Sequence, residues 1–445
     1  MSRHGRRTFL KLSGGVLGGI FAGTTVTAAE RTDRFIVETK GEETPTDLEV
    51  VFDLSEIGYA VVRAGESELE RSKSVKSFAP DIELEGADPS VESRAYEGDP
   101  ENDEFYSFQW DKQALDVPTA HETTRGEGTR VAIIDSGVDA SHPDLEVNTD
   151  ISQDFTRDGL GAGVPGGGDH GTHVAGIAAA QTDGTTGVAG TAPATDLVDF
   201  RVFSDFGGTN GAFSIVVAAV LAAANADCDV ANLSLGAYPI PREGLGSFYG
   251  GFLNKAMTYA NKEGTLLVIA AGNDSADLQH DKNLISLPNE GAQALSVAAT
   301  GPIGFADALV AGEDLESPPK SPAFYTNYGT NAVDLGAPGG DVDTSLTDPV
   351  DGVPAYAYDF VFNTVTTVLT DDDGNYAGSV PGYGWKAGTS MAAPNVAGAA
   401  ALVKSANPDY NANQIESALE RAAEVPDDYD KTYYGSGFLS VVDAL

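Results

Sequence analysis

Apolar and polar residues follow two different patterns along the chain, and the change between them falls near residue 99. Before it, the stretches Arg34–Glu38, Leu48–Phe52 and Tyr59–Val62 alternate or run apolar, as short strands do. A short helix is predicted at Ser67–Lys73. An acidic, turn-rich run, Glu97–Asp103, separates this part from the rest. The pattern predicts a small α+β unit ahead of the main domain.

Beyond residue 99, apolar runs alternate with longer alanine-rich segments. The runs predict strands at Val131–Ile134, Leu197–Val202, Val230–Leu235 and Leu266–Ala271, and the segments predict helices at His173–Ala180, Phe213–Asn225 and Phe252–Glu263. Such alternation predicts an α/β fold with a mostly parallel central sheet and helices on both faces. Functional residues are then expected at the carboxyl ends of the strands.

The charge of the chain limits its partners. Its 445 residues include 67 Asp and Glu against 26 Lys and Arg, a net charge of −41. Nucleic-acid binding and attachment to anionic membranes both need basic patches, so neither is expected. A hydrophobic content of 41% is too high for a disordered chain. We therefore expect an acidic surface around a folded core. This suits roughly molar salt, where the Debye length is about 3 Å; an acidic mesophilic protein is the alternative.

The N-terminus predicts the compartment. Arg6 and Arg7 precede an apolar, glycine-rich stretch, Leu12–Val26, which ends in small residues. This resembles a twin-arginine signal, so residues 1–29 are predicted to be removed after export of the folded protein. The stretch is short for a retained membrane anchor. The single cysteine, Cys228, lies in a predicted turn from a helix into a buried strand and is expected to be structural.

Four motifs fall at predicted strand ends and helix starts. They are Asp135-Ser-Gly after a strand, Asp169-His170-Gly-Thr-His173 opening a helix, Ala-Gly-Asn273 closing a strand, and Gly-Thr-Ser390-Met opening a helix. Taken singly, each has an ordinary explanation. His170 and His173 have the spacing of two metal ligands, although no third His or Cys lies nearby with ligand spacing. The Gly-Thr-Ser run is also a common helix N-cap.

Together, the motifs in the order Asp, His, Ser resemble those of the subtilisin-like serine proteases, the subtilases. The resemblance covers residues 102–445, and the segments Thr186–Pro193, Asn232–Gly236 and Asp334–Gly339 agree with it. The acidity and the signal resemble those of the halolysins. The resemblance implies a three-layer fold in a catalytic domain spanning 99–445, with no further C-terminal domain.

The resemblance also implies a role for each motif residue. Ser390 is expected to be the nucleophile, His170 the general base and Asp135 the residue that orients the imidazole. Asn273 is expected to donate its side-chain amide to the oxyanion, together with the backbone N–H of Ser390. His173 is expected to be structural. This chemistry requires no cofactor.

Substrate binding is implied in the same way. One wall of the substrate site is expected at Ser234, Leu235 and Gly236, and the other at Gly207 and Gly208, so that a peptide adds as a β-strand between them. Asp274 lies either near the mouth of this site or on the solvated surface.

A structural calcium ion is a weaker expectation. Asp103 and Asp144 match family positions that supply carboxylates, and the loop Gln181–Gly187 is expected to add carbonyl oxygens. In so acidic a chain, a single Asp is more often only solvated.

The chain departs from the family in three places. Asn395 stands where a His is common, with little effect expected on the chemistry. The segment Gly339–Gly388 is longer than usual and predicts a β-hairpin with an acidic tip, which either borders the cleft or only decorates the surface. Residues 30–98 resemble an inhibitory propeptide that lacks its first helix, with cleavage expected near Val91–Glu101.

These observations predict a secreted, monomeric, halophilic serine endopeptidase. Its partners are expected to be protein and peptide substrates and its own propeptide. A dedicated maturation protease with one substrate is the alternative within enzymes, and an inactive binding protein is the alternative outside them.

Overall fold

The computed structural model describes residues 26–27, 33–41, 44–81, 83–84, 104–182, 187–208, 211–242, 245–281, 283–350 and 352–445. The twin-arginine pair, Asp103 and the expected cleavage segment Val91–Glu101 lie outside the described residues. No helix in the described part of the chain is both long and apolar enough to cross a membrane.

The N-terminal unit is a four-stranded antiparallel sheet. Its elements are β1 (Arg34–Thr39), β2 (Glu49–Leu54), β3 (Tyr59–Arg63), helix α1 (Glu66–Leu69) and β4 (Val75–Pro80), and the strand order is β2-β3-β1-β4. The three predicted strands are confirmed. Residues 40–41 and 44–48 between β1 and β2 contain no helix, as the sequence predicted. A separate short antiparallel pair joins Val26–Thr27 to Glu83–Leu84.

The main domain is built on an eight-stranded sheet in which every neighbouring pair is parallel. Its strands are β5 (Arg130–Asp135), β6 (Gln153–Asp154), β7 (Asp196–Arg201), β8 (Val230–Leu233), β10 (Leu266–Ala270), β12 (Ala294–Thr300), β13 (Leu335–Pro338) and β18 (Gly437–Phe438), in the order β18-β13-β12-β10-β8-β5-β7-β6. The remaining strands pair outside this sheet as antiparallel β9 (Ala237–Pro241) with β11 (Leu284–Leu287), β14 (Pro349–Val350) with β15 (Val353–Pro354), and β16 (Val361–Thr370) with β17 (Tyr376–Lys386). The parallel sheet predicted from the sequence is confirmed.

Helices cover both faces of the sheet. They are α2 (Trp110–Ala114), α3 (Val117–His121), α4 (His170–Ala179), α5 (Phe213–Asn225), α6 (Leu245–Glu263), α7 (Phe305–Ala311), α8 (Thr389–Ala406), α9 (Ala412–Ala422) and α10 (Val441–Ala444). Side chains of β5 alternate between two cores: Val131 and Ile133 pack with α4 and α8, whereas Ala132 and Ile134 pack with α5 and α6. This is the expected three-layer arrangement.

Helix α4 begins at His170 rather than His173. Two further predicted boundaries moved for physical reasons. Strand β8 ends at Leu233 rather than Leu235, because Ser234–Gly236 leave the sheet and lead into β9, which pairs with β11. Helix α6 begins at Leu245 rather than Phe252. Its first part is rich in glycine, which lowers helix propensity without preventing helix formation on a packed surface.

The predicted hairpin is present as β16 and β17, joined by the acidic tip Asp371–Asn375. Ala355–Asp359 form a 3₁₀ turn ahead of the first strand of the hairpin. The base of the hairpin is buried against α4. A Cβ on Gly176 of that helix would lie 2.1 Å from the hydroxyl oxygen of Thr364, so this close packing requires glycine.

Candidate active site

The first part of the site lies at the carboxyl end of β5. Asp135 ends that strand, and its Oδ1 accepts a hydrogen bond of 2.8 Å from Nδ1 of His170, the first residue of α4. The hydroxyl of Ser136 accepts a hydrogen bond from the backbone N–H of Gly171. A Cβ on Gly171 would lie 2.6 Å from the carbonyl oxygen of Gly137, so glycine here lets helix and strand meet closely. The predicted general base and the residue predicted to orient its imidazole are therefore in contact.

The second part lies at the start of α8. The hydroxyl of Ser390 donates to the carbonyl oxygen of Ser234 at 3.3 Å, and the hydroxyl of Ser234 donates to the carbonyl oxygen of Ser390 at 2.8 Å. Ser390 lies in the first turn of the helix, where backbone N–H groups lack intrahelical acceptors and the helix dipole favours negative charge. The predicted nucleophile thus lies beside a predicted substrate strand and next to a group of N–H donors.

Asn273 adjoins Ser390 through Thr389. Its Oδ1 accepts hydrogen bonds of 2.9 Å from both the backbone N–H and the hydroxyl of Thr389. The hydroxyl of Thr389 also accepts a hydrogen bond from the N–H of Gly272 at 3.0 Å. Two donors to Oδ1 fix the amide and leave the Nδ2 donor for another partner. Thr389 was not singled out from the sequence, although it is the middle residue of the Gly-Thr-Ser motif.

The predicted substrate walls lie at the same edge of the sheet. Ser234 and Leu235 are buried just after β8. Gly207 and Gly208 lie in the loop after β7 with φ values of 96° and 77°, which favour glycine. The N–H of Val202, at the start of that loop, donates to the carbonyl oxygen of Asp135 at 2.8 Å. Both walls are therefore joined to the segments that carry Asp135 and Ser390.

Buried charges surround the first part of the site. Arg201 is fully buried and forms ion pairs with Asp154 at 3.1 Å and with Asp158 at 2.6 Å. Burial alone would raise the pKa of Asp158, but hydrogen bonds from Arg201 and Ser204 outweigh it and the pKa is lowered. Burial raises the pKa of Asp199 to about 7, and the charge of Asp135 adds to this effect. Burial therefore makes the charged form of Asp199 less favourable than that of an exposed Asp.

The two residues expected to be structural are buried. Nε2 of His173 donates to the carbonyl oxygen of Val361 at 3.2 Å, and burial holds the pKa of this imidazole well below its usual value. Burial raises the pKa of the Cys228 thiol to about 12. No group of three or more His, Cys, Asp or Glu side chains is placed to hold a metal ion in the described part of the chain. The geometry therefore gives no support to a metal ion held by His170 and His173.

The calcium expectation was tested at Asp144, which is fully buried. Its Oδ1 accepts a hydrogen bond of 3.0 Å from the hydroxyl of Tyr383, and its Oδ2 accepts one of 3.0 Å from the N–H of Val188. Calcium needs six to eight oxygen ligands. The described residues supply one of the two expected carboxylates, and both of its oxygens already accept hydrogen bonds from protein donors. Asp103 and residues 183–186 lie outside the described residues, so the calcium ion stays a prediction.

Tyr383→Phe is expected to destabilise the protein by about 1–3 kcal/mol, because it leaves a buried carboxylate oxygen of Asp144 without its donor. Guanidinium unfolding in the presence of a calcium chelator measures the loss. Tyr376→Phe, on the outer half of the same hairpin, is the matched control and should change stability by less than about 0.5 kcal/mol. Equal stabilisation of wild type and Tyr383→Phe by added calcium would contradict the idea that Tyr383 satisfies Asp144 in place of a cation.

The inserted hairpin, β16 and β17, borders the candidate site. Of the two alternatives predicted for it, bordering the cleft is therefore the one found, and not a position that only decorates the surface. Lys386, the last residue of β17, forms an ion pair with Asp169. The hydroxyl of Thr366 donates to Asp139 at 2.7 Å. Near the tip, the ring of Tyr376 meets that of Phe206 edge-on, with ring centroids 5.6 Å apart. The hairpin thus extends from the residue before His170 to the loop that carries Gly207 and Gly208.

Comparison with known proteins agrees with this geometry. The thermophilic serine proteinase of Bacillus sp. (strain AK1) is 32% identical over 325 residues, which cover 73% of this chain and 64% of that protein. Subtilisin BL of Lederbergia lenta is 31% identical over 339 residues, which cover 75% of this chain and 97% of that protein. The fold and these relatives define the class as serine endopeptidases. The model of the subtilase family matches residues 126–437, and the chain belongs to that family.

Solved structures show the same fold. The epidermin leader peptide processing serine protease of Staphylococcus aureus superposes with a TM-score of 0.68 at 22% identity, covering 92% of this chain and 97% of that one. Fervidolysin from Fervidobacterium pennivorans, a keratinolytic enzyme related to subtilisin, gives a TM-score of 0.64 at 22% identity, covering 95% of this chain and 63% of that one.

Proposed function

We propose that this subtilase is a secreted endopeptidase that uses Ser390 as nucleophile, His170 as general base and Asp135 as the orienting carboxylate. The observation that carries the proposal is the 2.8 Å hydrogen bond between Asp135 and His170, at the edge of the sheet where Ser390 lies in the first turn of α8. A buried carboxylate that accepts from Nδ1–H leaves Nε2 as the basic nitrogen, which is the tautomer that a general base needs.

The chemical steps follow from these positions. Nε2 of His170 takes the hydroxyl proton while Oγ of Ser390 forms a bond to the substrate carbonyl carbon, whose oxygen becomes an oxyanion. The C–N bond then breaks, and the imidazolium gives its proton to the leaving amine. Water attacks the acyl-enzyme by the same route, releasing the acid and restoring Ser390. Asp135 stabilises the imidazolium in both halves.

Asn273 is proposed as the side-chain donor to the oxyanion. Asn273→Ala is expected to lower kcat about 10²–10³-fold with little change in KM, which is the loss known for removal of such a donor from a subtilisin. Steady-state kinetics on a peptide amide measures the loss. Asn273→Asp keeps an acceptor for Thr389 but lacks the Nδ2 donor, so it should lose as much. Near-wild-type kcat in the Asp variant would exclude this role.

The N-terminal unit is proposed as an inhibitory propeptide. Asp81 accepts hydrogen bonds from the N–H of Ser214 at 3.1 Å and from its hydroxyl at 2.5 Å, at the N-terminus of α5. A carboxylate is favourable at a helix N-terminus. The ring of Tyr59 packs on Phe252 of α6, with ring centroids 4.9 Å apart. These contacts dock the small sheet on the two helices behind the active site.

Asp81→Ala is expected to weaken this docking by about 1–3 kcal/mol, because it leaves Ser214 and the buried side of Arg34 without their acceptor. In a Ser390→Ala background, which prevents self-cleavage, added trypsin should remove residues 33–81 faster. Asp53→Ala is a control on an exposed carboxylate of the same unit. Equal rates for both would contradict the docking role of Asp81.

The enzyme is also proposed to be adapted to high salt and to be exported. The net charge of −41 supports activity in roughly molar salt. The paired arginines Arg6 and Arg7 support export through the twin-arginine route to the extracellular medium. A monomer acting on protein and peptide substrates without a cofactor is expected, and no membrane or nucleic-acid partner is proposed.

Active-site labelling in molar salt tests the reaction. Wild type should hydrolyse casein, and a fluorophosphonate should label Ser390, identified by peptide mass spectrometry. Labelling elsewhere, or no hydrolysis of casein or a peptide library, would contradict the proposal. The hairpin beside the site favours one alternative, a maturation protease with a single substrate. In that case, the library would show one narrow cleavage motif and casein would remain intact.

A further inference from the structure

A buried ion pair lies next to the proposed general base. Nζ of Lys386 is 2.9 Å from Oδ1 of Asp169, and the two side chains are only 3% and 11% exposed. Asp169 immediately precedes His170, and Lys386 lies four residues before Ser390. The pair therefore joins the segment that carries the base to the segment that carries the nucleophile.

Helix capping does not account for Asp169. It occupies the N-cap position of α4, where an Asp usually accepts a hydrogen bond from a first-turn N–H, but its side chain forms no such bond. Its carboxylate is directed at Lys386 instead. Burying both charges costs desolvation energy, which a well-packed apolar pair would avoid, so stability alone is a weak reason for the pair.

We propose that Lys386 and Asp169 are positioning residues for His170: they hold the start of α4 against the strand that leads into Ser390, and each neutralises the other's charge beside the imidazole. The inference rests on the proposed role of His170. It gives the inserted hairpin a function in the reaction, because Lys386 is the residue in which β17 ends.

The charges around His170 predict opposite effects for the two partners. The titratable and charged groups around it are Asp135 of β5, Asp169 at the head of α4, Lys386 of β17, His173 of α4, whose pKa burial holds low, and Asp199 of β7, whose pKa burial raises. Without Lys386, the Asp169 anion is uncompensated and favours the imidazolium. Without the Asp169 charge, the Lys386 cation disfavours it.

The pH dependence of kcat/KM in molar salt tests the proposal, because a buried pair is little screened by salt. The acid limb of this pH profile follows the pKa of His170, because only the neutral imidazole acts as a base. Lys386→Met is expected to move the acid limb to higher pH by on the order of 0.5–1 unit, and Asp169→Asn is expected to move it to lower pH by a similar amount. The double variant should return the limb to the wild-type position. Each single variant should lose tenfold or more in kcat, with KM changing less.

The controls separate positioning from folding. Fluorophosphonate titration counts active enzyme, so unfolded material does not enter kcat. Lys404→Met removes a lysine that forms an ion pair with Asp229. Lys404 lies about 21 Å beyond Ser390 along α8, from the helix rise per residue, so this variant should leave the acid limb of the pH profile in place. Lys386→Arg keeps the charge and should also leave it in place. If Lys386→Met yields no enzyme that reacts with the fluorophosphonate, the pH profiles of Asp169→Asn and Lys386→Arg still test the positioning role.

Shifts of both single variants in the same direction, or no shift, would overturn the inference while the wild-type reaction stands. Wild-type enzyme without fluorophosphonate reactivity at Ser390 would overturn the proposed function, and this inference with it.

Discussion

Ser390→Ala is expected to lower kcat by about 10⁶-fold. The hydroxyl oxygen of Ser390 is the only protein atom in the proposal that forms a bond to the substrate, and a methyl group cannot replace it. The magnitude is that known for the serine of a subtilisin, and residual catalysis of about 10³–10⁴ over water comes there from the oxyanion hole and substrate binding. The remaining activity should therefore still depend on Asn273.

Ser390→Ala cannot cleave its own N-terminal unit, so a trace of tagged wild-type enzyme is added to remove it. The tagged enzyme is then captured on an affinity resin, and the kcat of the processed variant is compared with that of wild type. His170→Ala should lose nearly as much, and the double variant should lose no more than either single one, because the two residues act as a unit. Losses that multiply in the double variant would mean that Ser390 and His170 contribute independently. That result would contradict the proposed proton transfer between them.

Much of this site could be predicted because its residues are local to motifs. Asp135, His170 and Ser390 each lie at the end of a strand or the start of a helix, and Asn273 lies in the loop just after β10; the alternation of apolar runs places those ends at one edge of a parallel sheet. The resemblance to a family then gave each residue a role. The bounds of α5 were predicted correctly because its sequence is apolar from end to end.

Contacts between distant segments could not be predicted in the same way. Nothing near Lys386 in the sequence points to Asp169, since the pair depends on how β17 packs beside α4. The hydroxyl of Tyr383 similarly meets Asp144 across 239 positions of sequence. Periodicity shows that a hairpin forms, but it does not show which face of the domain the hairpin covers. The calcium expectation was carried over from the family without knowledge of this contact, and it stays a prediction.

A second contact of this kind lies beneath the site, around Lys112 of α2. Lys112 and Asp111 are fully buried, and Nζ of Lys112 is 3.2 Å from Oδ2 of Asp111. Nζ also donates to the carbonyl oxygen of Ile177 in α4 at 2.9 Å and to Oδ1 of Asn395 in α8 at 2.6 Å. One ammonium group therefore joins the helix that carries His170 to the helix that carries Ser390.

Lys112→Met is expected to destabilise the protein by about 3–5 kcal/mol, because it leaves the carboxylate of Asp111 buried without a cation. Guanidinium unfolding in a Ser390→Ala background, which prevents self-digestion, measures the loss. Lys404→Met removes a partly exposed pair and should cost no more than about 1 kcal/mol. The double variant Lys112→Met/Asp111→Asn should recover at least half of the loss. A double variant as unstable as Lys112→Met would mean that packing, not the unpaired charge, causes the effect.

The same network suits an Asn at position 395, where the resemblance leads us to expect a His. Its Oδ1 accepts from Lys112, and its Nδ2 donates to the carbonyl oxygen of Pro338 at 3.1 Å, so an amide serves both partners at once. An imidazole must present an acceptor to Lys112 and a donor to Pro338 from a larger ring. Asn395→His is therefore expected to cost about 1–3 kcal/mol in the wild-type background and clearly less once Lys112 is methionine. Equal costs in the two backgrounds would show that Lys112 does not determine the residue at this position.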